Sequence, residues 1–326
     1  MFNKVKIEEM KIRYYIQTLI AVAALMNTSC ANENEYTENA SNKQIEFSVN
    51  KNIAPISRAS IKTTWGDTDQ FSIISMVKTD DVWSILINKE SVSKNSDGNW
   101  ITAKQHYWPN QKQQLDFYGY YPAATLENLI TSVIATQAPT FNYTVSNEES
   151  NQVDILGAHV TYGNSQFATT IPLEFQHLQT AIYVKMADGS KVGTIKSISI
   201  TNANSVGTFD YATMGWSNQN TPVTYSRTLN YASSGTDGGT YLVPATNPLL
   251  LLPQTLSDDS RINIVFTDTE GDHTMSYTPT ALQKTLVGGY ALELSISVTS
   301  LYTIELTSKV INWLDGGLTN GELKSK

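Results

Sequence analysis

The segment Ile45-Glu46-Phe47-Ser48-Val49 alternates apolar and polar side chains with a period of two. This period is typical of a β-strand with one buried face, because successive side chains point to opposite sides of a sheet. Further segments of this kind are 71–77, 99–102, 115–122, 141–145, 155–162, 182–186, 195–201, 208–214, 240–243, 262–267, 273–277, 290–298 and 302–313. The chain is therefore predicted to form about fourteen short strands.

Turn residues separate many of these segments. The pairs Asp97-Gly98, Asp188-Gly189 and Gly238-Gly239 supply the positive φ that tight hairpin turns require. The one helix expected is a short one over 124–133. Many strands without intervening helices predict an all-β fold, and two tandem antiparallel β-sandwich domains accommodate fourteen strands better than one.

Composition excludes several classes of protein. Only 16% of the 326 residues are charged, against roughly one quarter in an average globular chain, and the formal net charge is −8. Basic residues are not clustered in the body, so the positive surface of a nucleic-acid-binding protein is missing. The single cysteine, Cys30, excludes an intrachain disulfide and zinc sites of the Cys₄ or Cys₂His₂ type.

The first thirty residues are typical of an export signal. A basic stretch over 4–13 precedes the apolar run 19–26, which is shorter than the about 20 residues needed to span a bilayer. Cys30 follows at the position of the lipidated residue of a bacterial lipoprotein, although Asn27 stands where leucine is usual. We therefore expect residues 1–29 to be a lipoprotein signal peptide and acyl chains on Cys30 to anchor the mature chain to a membrane. The alternative is an ordinary secretory signal with a chance cysteine nearby.

The remaining boundaries follow from breaks in the strand pattern. Residues 30–44 are polar, acidic and without periodicity, which predicts a flexible tether. A second break over 163–172 separates the two predicted sandwiches, which we place at 45–168 and 169–326.

No motif for catalysis, metal binding or a cofactor is present. The four histidines are far apart, and neither a Gly-x-Ser-x-Gly elbow nor a phosphate-binding loop occurs. His177 lies in an apolar segment, which favours a hydrogen-bonded core or interface histidine over a ligand. The segments 66–69 and 268–272 carry alternating oxygen side chains but are too short for a calcium loop, so they are predicted to be turns.

Tryptophans at 65, 83, 100, 108, 216 and 313 are candidates for stacking against sugars. Most of them lie within or beside predicted strands, where burial is the simpler interpretation. Glycan binding requires at least two coplanar exposed rings and stays open as an alternative.

A series of motifs occurs in a defined order along the chain. They are the Cys30 signal, 45–49, Ser57-Arg58-Ala59, Tyr107-Trp108-Pro109, 115–122, Asp154-Ile155-Leu156-Gly157, 173–178, 250–254 and 310–317. Together they resemble the fimbrillin-like lipoproteins that build type V pili in Gram-negative anaerobes. The resemblance implies two transthyretin-like antiparallel β-sandwich domains, export as an outer-membrane lipoprotein, and maturation at the cell surface.

The resemblance also implies a route of assembly. In related shaft subunits an arginine-specific protease removes the first strand, and an extended strand from a neighbouring subunit fills the vacated groove. Carried onto this chain, the cut lies between Arg58 and Ala59 and removes the strand that contains Ile45, Phe47 and Val49. An unpaired sheet edge is a template for another chain's strand.

The donor strand in this scheme is usually C-terminal. Here 302–310 alternates and contains no proline, so Tyr302, Ile304, Leu306 and Val310 are expected to point into the neighbour's groove. The alternatives are that Arg58 is an ordinary loop arginine, and that 302–313 is the last strand of the second sandwich, as in a tip or anchor subunit.

We therefore predict a non-enzymatic structural subunit of a cell-surface fimbria that contributes to adhesion. Its expected partners are other fimbrial subunits, outer-membrane lipid through acylated Cys30, and surface glycans or proteins as open adhesion targets. No cofactor, metal or nucleic acid is expected. The alternative is a stand-alone surface lipoprotein that binds glycans through exposed aromatic rings.

Overall fold

The computed structural model describes residues 43–50, 62, 64–109, 113–163 and 169–313. Within that part the chain is mostly β-strand, with two helices of four residues each and one 3₁₀ turn. The predicted all-β fold is confirmed.

The strands in chain order are β1 (Phe47–Val49), β2 (Gln70–Thr79), β3 (Val82–Lys94), β4 (Trp100–Thr102), β5 (Gln114–Tyr121), β6 (Thr140–Thr144), β7 (Leu156–Tyr162), β8 (Ile171–Leu173), β9 (Gln176–His177), β10 (Thr180–Met186), β11 (Gly193–Asp210), β12 (Gly215–Ser233), β13 (Tyr241–Val243), β14 (Leu249–Leu251), β15 (Ile262–Asp268), β16 (Gly271–Tyr277), β17 (Tyr290–Val298) and β18 (Ile304–Asn312). The helices are α1 (Ala123–Leu126) and α2 (Ala281–Lys284), and the 3₁₀ turn is Glu149–Asn151.

Sheet A contains eight strands in the order β8-β1-β4-β3-β2-β5-β7-β9. Its two edge strands, β8 and β9, are separated along the chain only by Glu174 and Phe175. So short a connection cannot span more than about 11 Å, so the edges lie close together and the sheet curls around its own core. That core is rich in aromatic rings and includes Phe71, Trp100 and Phe117.

Sheets B and C form a second layered unit. Sheet B has the order β13-β10-β17-β18, with β14 also paired to β10, and sheet C has the order β12-β11-β15-β16, with β6 also paired to β11. Buried side chains from both sheets form one hydrophobic cluster, for example Ile182 and Leu294 from sheet B and Ile198 and Phe266 from sheet C. The two sheets therefore pack face to face as a sandwich.

The predicted strands are largely present, but two parallel pairs depart from a purely antiparallel arrangement. These pairs are β1 with β8 and β10 with β17. The sequence pattern also missed β3, β8, β12 and β14, and the helix expected over 124–133 ends at Leu126. The segment 211–214, predicted as the end of a strand, forms the turn between β11 and β12.

The long hairpin of β11 and β12 shows why period-two patterns fail here. Its ladder shifts register at three places along β11, and each irregularity interrupts the alternation of inward and outward side chains. β12 is also an edge strand of sheet C, with exposed polar residues such as Thr224, Ser226 and Thr228. So many polar residues conceal the alternation of apolar and polar side chains by which a strand is recognised in a sequence.

Sheets A and C both take strands from the two sides of the predicted domain boundary at position 168. β8 and β9 follow that position and belong to sheet A, whereas β6 precedes it and joins sheet C. The division into 45–168 and 169–326 stays a prediction.

Substitution of Gly119 by alanine tests the packing inside sheet A. A Cβ atom at Gly119 would lie 2.7 Å from Cζ of Phe175, whose ring is buried and contacts Phe71 and Trp65. We expect Gly119→Ala to lower the free energy of unfolding by about 1–3 kcal/mol through overpacking. Gly163→Ala is the matched control, because no atom of the described residues lies within 4 Å of its added Cβ. Equal denaturant midpoints for both variants and the parent would contradict this packing.

Candidate functional site

The segment 43–50 fills the space between β4 and β8 in sheet A. On the β4 side, the Ile45 N–H donates to the carbonyl of His106 (2.8 Å), and the Trp108 N–H donates to the carbonyl of Lys43 (2.9 Å). Phe47 then pairs with Trp100 of β4. The segment therefore continues the sheet beyond the short β4.

The opposite edge of the segment pairs with β8. The Ile171 N–H donates to the carbonyl of Glu46 (2.9 Å), and the Asn50 N–H donates to the carbonyl of Leu173 (3.4 Å). The Asn50 side chain extends this pairing, since its amide donates to the carbonyl of Phe175 (2.9 Å) and accepts from the Phe175 N–H (3.1 Å). Residues 43–50 thus satisfy two strand edges at once.

The side chains predicted to leave with this strand lie largely in the core of sheet A. Ile45 is 0% exposed and Phe47 is 2% exposed, whereas Val49 is half-buried. The Phe47 ring makes edge contacts with Phe71 and Phe117, at centroid distances of 6.5 and 5.8 Å. Removal of the segment would leave a groove with an apolar floor and two unpaired walls, β4 and β8.

β18, which carries most of the predicted donor residues, is the edge strand of sheet B. Within the described residues its strand partner is β17, in a register that runs from Val298 opposite Ile304 to Tyr290 opposite Asn312. Ile304 is buried, and Leu306 and Val310 are half-buried on the same face. In this monomer the strand therefore lies on its own sandwich.

Tyr302 differs from the other three predicted donor residues because it precedes the strand, at a φ of 55°. Its hydroxyl donates to Asp268 Oδ2 (2.9 Å) and Glu270 Oε2 (2.8 Å), and its ring stacks on His273 at 3.7 Å between centroids. Partial burial and the hydrogen bonds to Glu270 and Asp268 raise the pKa of Tyr302. Lys191 Nζ lies 4.6 Å above the ring, so polar groups fix the beginning of β18.

The end of β18 is fixed by stacked rings. Trp313 is 1% exposed, and its indole stacks on the His177 imidazole at 3.9 Å with 12° between the ring planes. His177 Nδ1 lies 2.8 Å from Asp154 Oδ1, and Asp154 Oδ2 accepts a hydrogen bond from the Lys62 N–H (2.9 Å). The prediction that His177 is a hydrogen-bonded interior histidine is confirmed. We refer to Lys62, Asp154, His177 and Trp313 as the Asp154 cluster.

A buried carboxylate also connects β18 to the centre of sheet B. Glu293 of β17 is 2% exposed, and its Oε1 lies 2.7 Å from Lys185 Nζ and 3.3 Å from Lys309 Nζ of β18. The Tyr241 hydroxyl donates to its other oxygen. Burial raises the pKa of Glu293, but Lys185, Tyr241 and Lys309 outweigh burial and hold that pKa below its usual value.

Comparison with known proteins decides the family. A model of the fimbrillin-like family matches residues 57–313. The chain belongs to the fimbrillin-like family. The resemblance stated from the sequence motifs is therefore confirmed.

Solved structures share the fold of this fimbrillin-like chain. A fimbrial protein from Bacteroides vulgatus aligns with a TM-score of 0.59 at 14% identity, over 83% of this chain and 100% of that one. A candidate cell adhesion protein from Bacteroides uniformis aligns with a TM-score of 0.54 at 19% identity, over 83% of this chain and 99% of that one. A third, a candidate cell adhesion protein from Bacteroides ovatus, aligns with a TM-score of 0.53 at 15% identity, over 83% and 98%. No curated protein matches the chain.

Family membership also bears on function. Fimbrillin-like proteins are structural and non-enzymatic, which confirms the prediction that the chain is not an enzyme. The family supports a fimbrial or adhesion subunit at the cell surface. Cys30, Arg58 and Ala59 lie outside the described residues, so lipidation and cleavage stay predictions.

The alternative based on glycan binding gains no support from the tryptophan side chains. Of the six tryptophans, all of which are described, three are buried and three are half-buried. Trp216 borders a cleft of about 420 Å³, but its indole N–H donates to the carbonyl of Leu178. In that cleft the amides of Gln219 and Gln254 already bond to the backbone of Pro253 and Asn204. The cleft offers few free polar groups to a sugar.

The two segments with alternating oxygen side chains are turns, as predicted. Asp268 pairs with Gly271 at the end of the hairpin between β15 and β16, and the Gly66 N–H donates to the carboxylate of Asp69 within its own turn. In the described ranges, no three histidine, cysteine, aspartate or glutamate side chains cluster in a way that could hold a metal ion. Nor is any helix of that part long and apolar enough to cross a membrane.

Replacement of Glu293 by glutamine tests the ionic contact between β17, β10 and β18. A carboxylate whose pKa is lowered by folding stabilises the fold above its unfolded pKa, and this contribution is lost as pH falls through the folded pKa. The free energy of unfolding of the parent should therefore decrease as the pH drops below about 4.3, the ordinary pKa of glutamate. Glu293→Gln should be less stable at pH 7 and should lose less stability on acidification.

Denaturant unfolding between pH 3 and pH 7 measures this difference. Glu305→Gln is the control, because Glu305 lies on β18 but is exposed. A Glu293→Gln variant with the same pH dependence as the parent would contradict the contact.

Proposed function

We propose that this fimbrillin-like chain is a structural subunit of a cell-surface fimbria that assembles by β-strand exchange and contributes to adhesion. It is exported as a lipoprotein through Cys30, and cleavage between Arg58 and Ala59 removes its first strand. The observation that carries the proposal is the position of residues 43–50 between β4 and β8, with Ile45 and Phe47 inserted in the core.

The groove left by this segment would require a replacement strand. The carbonyl of His106 and the N–H groups of Trp108 and Ile171 would lose their backbone partners, and an unsatisfied buried backbone group costs about 1–3 kcal/mol. The apolar floor that now covers Ile45 and Phe47 would be exposed to water. An extended strand from another subunit satisfies both needs, through backbone hydrogen bonds and alternate side-chain pockets.

β18 has the dimensions of such a donor. It contains nine residues, against the eight of the segment 43–50, and as an edge strand it can leave sheet B without separating two other strands. The groove has three successive pockets, now filled by Ile45, Phe47 and Val49. In the donor only Tyr302, Ile304 and Leu306 give three successive apolar residues on one face, because Ser308 interrupts the series before Val310.

The first test is the N-terminus and mass of protein sheared from intact cells. We expect the parent chain to begin at Ala59 and to run as SDS-resistant ladders, because exchanged strands stay bound in detergent. Arg58→Ala should begin at Cys30 and stay monomeric, while Ser60→Ala, the matched control beside the cut, should behave like the parent. A monomeric parent chain that still begins at Cys30 would contradict the proposal.

The second test uses a synthetic peptide of residues 301–313 and subunits that lack the segment before Ala59. The peptide should bind the groove and block ladder formation. A peptide with Leu306→Asp should bind at least about a hundredfold more weakly, because it buries a charge in an apolar pocket. Thr307→Asp is the control, since residue 307 faces outward. Equal inhibition by both variant peptides would rule out insertion through this face.

A further inference from the structure

The carboxylate of Asp154 divides its two oxygens between distant parts of the chain. Oδ1 lies 2.8 Å from His177 Nδ1, and Oδ2 accepts the Lys62 N–H at 2.9 Å. The Asp154 side chain is only 1% exposed, so it depends on these partners, because a buried carboxylate without hydrogen bonds is strongly destabilising.

His177 transmits the position of Asp154 to the end of β18. Its imidazole is held at Nδ1 by Asp154, and one ring face carries the indole of Trp313 at 3.9 Å. Trp313 follows the last residue of β18 directly, and its N–H donates to the carbonyl of Gly289 (3.2 Å). The orientation of the imidazole therefore determines the position of the ring face on which Trp313, at the end of β18, stacks.

Lys62 is held to sheet A by its side chain as well. Its ammonium lies 4.9 Å above the Trp65 ring and 5.3 Å above the Tyr121 ring, and it forms an ion pair with Asp69. Lys62 lies four positions after Arg58. In a chain that begins at Ala59 this residue would be close to a free terminus, where chains fray most easily.

We propose that the Asp154 cluster retains β18 on its own sandwich and releases it when the Lys62 backbone leaves Asp154. Loss of the Lys62 N–H removes one of the two hydrogen bonds that fix the carboxylate, and Asp154 and His177 can then reorient together. The stack with Trp313 is lost, and β18 separates from β17 starting at Asn312. This inference rests on the proposed function only in that the released strand is donated to a neighbouring subunit. The coupling between Lys62 and β18 is a property of the monomer.

Amide hydrogen exchange of the monomeric full chain, read at residues 309–312, tests the retention of β18. Asparagine at position 154 has nearly the same shape but an NH₂ group in place of one carboxylate oxygen, so it cannot accept at both of the positions where Lys62 and His177 now bond. Asp154→Asn should accelerate exchange at 309–312 at least about tenfold, the effect of losing one hydrogen bond to a charged group. Exchange in β2 and β5 of sheet A should stay at the parent rate.

Two further variants separate this effect from general instability. Trp313→Leu removes the stack while leaving Asp154 and Lys62 in place, and it should accelerate the same amides. Trp108→Phe removes part of a buried indole in the core of sheet A. In this variant amide exchange at 309–312 should be no faster than exchange in the rest of sheet B. Unchanged exchange at 309–312 in both Asp154→Asn and Trp313→Leu would overturn the proposal.

The coupling to the N-terminal side is tested at Lys62 itself. Proline lacks the N–H that Asp154 accepts, whereas alanine keeps it. Lys62→Pro should accelerate exchange at 309–312 at least about tenfold more than Lys62→Ala does. Equal rates in the two variants would overturn the coupling. These measurements use monomers. An absence of SDS-resistant ladders in protein sheared from cells would contradict the proposed function without altering this result.

Discussion

The structure depends on the hydrogen-bonding needs of two short strand edges. β4 and β8 are not neighbours in sheet A, and residues 43–50 join them by pairing with both. Backbone N–H and C=O groups in a sheet interior must be paired, so this segment is needed to complete the sheet around its aromatic core. Among the described residues it precedes every other strand, and residues 51–61, which include Arg58, connect it to them in sequence.

The last strand, β18, is attached differently from the first, because it pairs with one neighbouring strand and not with two. β18 is bonded to β17 along its whole length but to no second strand in the described residues, and side chains fix its two ends. Tyr302 bonds to Asp268 and Glu270 at the beginning, and Trp313 stacks on His177 at the end. In the described residues the strand is therefore held by one neighbouring strand and by side-chain contacts at its two ends. The first and last strands of the described residues therefore differ in position, because β1 lies between two strands of sheet A and β18 is an edge strand of sheet B.

The sequence predicted much of this arrangement but not how its parts meet. Clean alternation identified 45–49 and 290–298, because large apolar side chains alternate with small or polar ones along both segments. It missed β3 and β12, where bulges and residues with positive φ such as Lys89 and Asn218 break the period.

For the candidate site too, the sequence predicted individual residues but not how they come together. The segment around His177 predicted a satisfied interior histidine, and the motifs at Asp154 and Trp313 both contributed to the family resemblance. Their convergence depends on contacts between residues 23 and 136 positions apart, which local periodicity does not encode. The pairing of 43–50 with β8 likewise joins residues more than a hundred positions apart.

A structure of the assembled fimbria, determined at a resolution that allows side chains to be assigned, tests strand exchange most directly. The decisive feature is the identity of the strand between β4 and β8. We expect residues from 302 onward of the neighbouring subunit to lie there, with Ile304 and Leu306 in the pockets now filled by the subunit's own first strand. Residues 43–50 of the same chain in that position, with β18 still paired to its own β17, would contradict it.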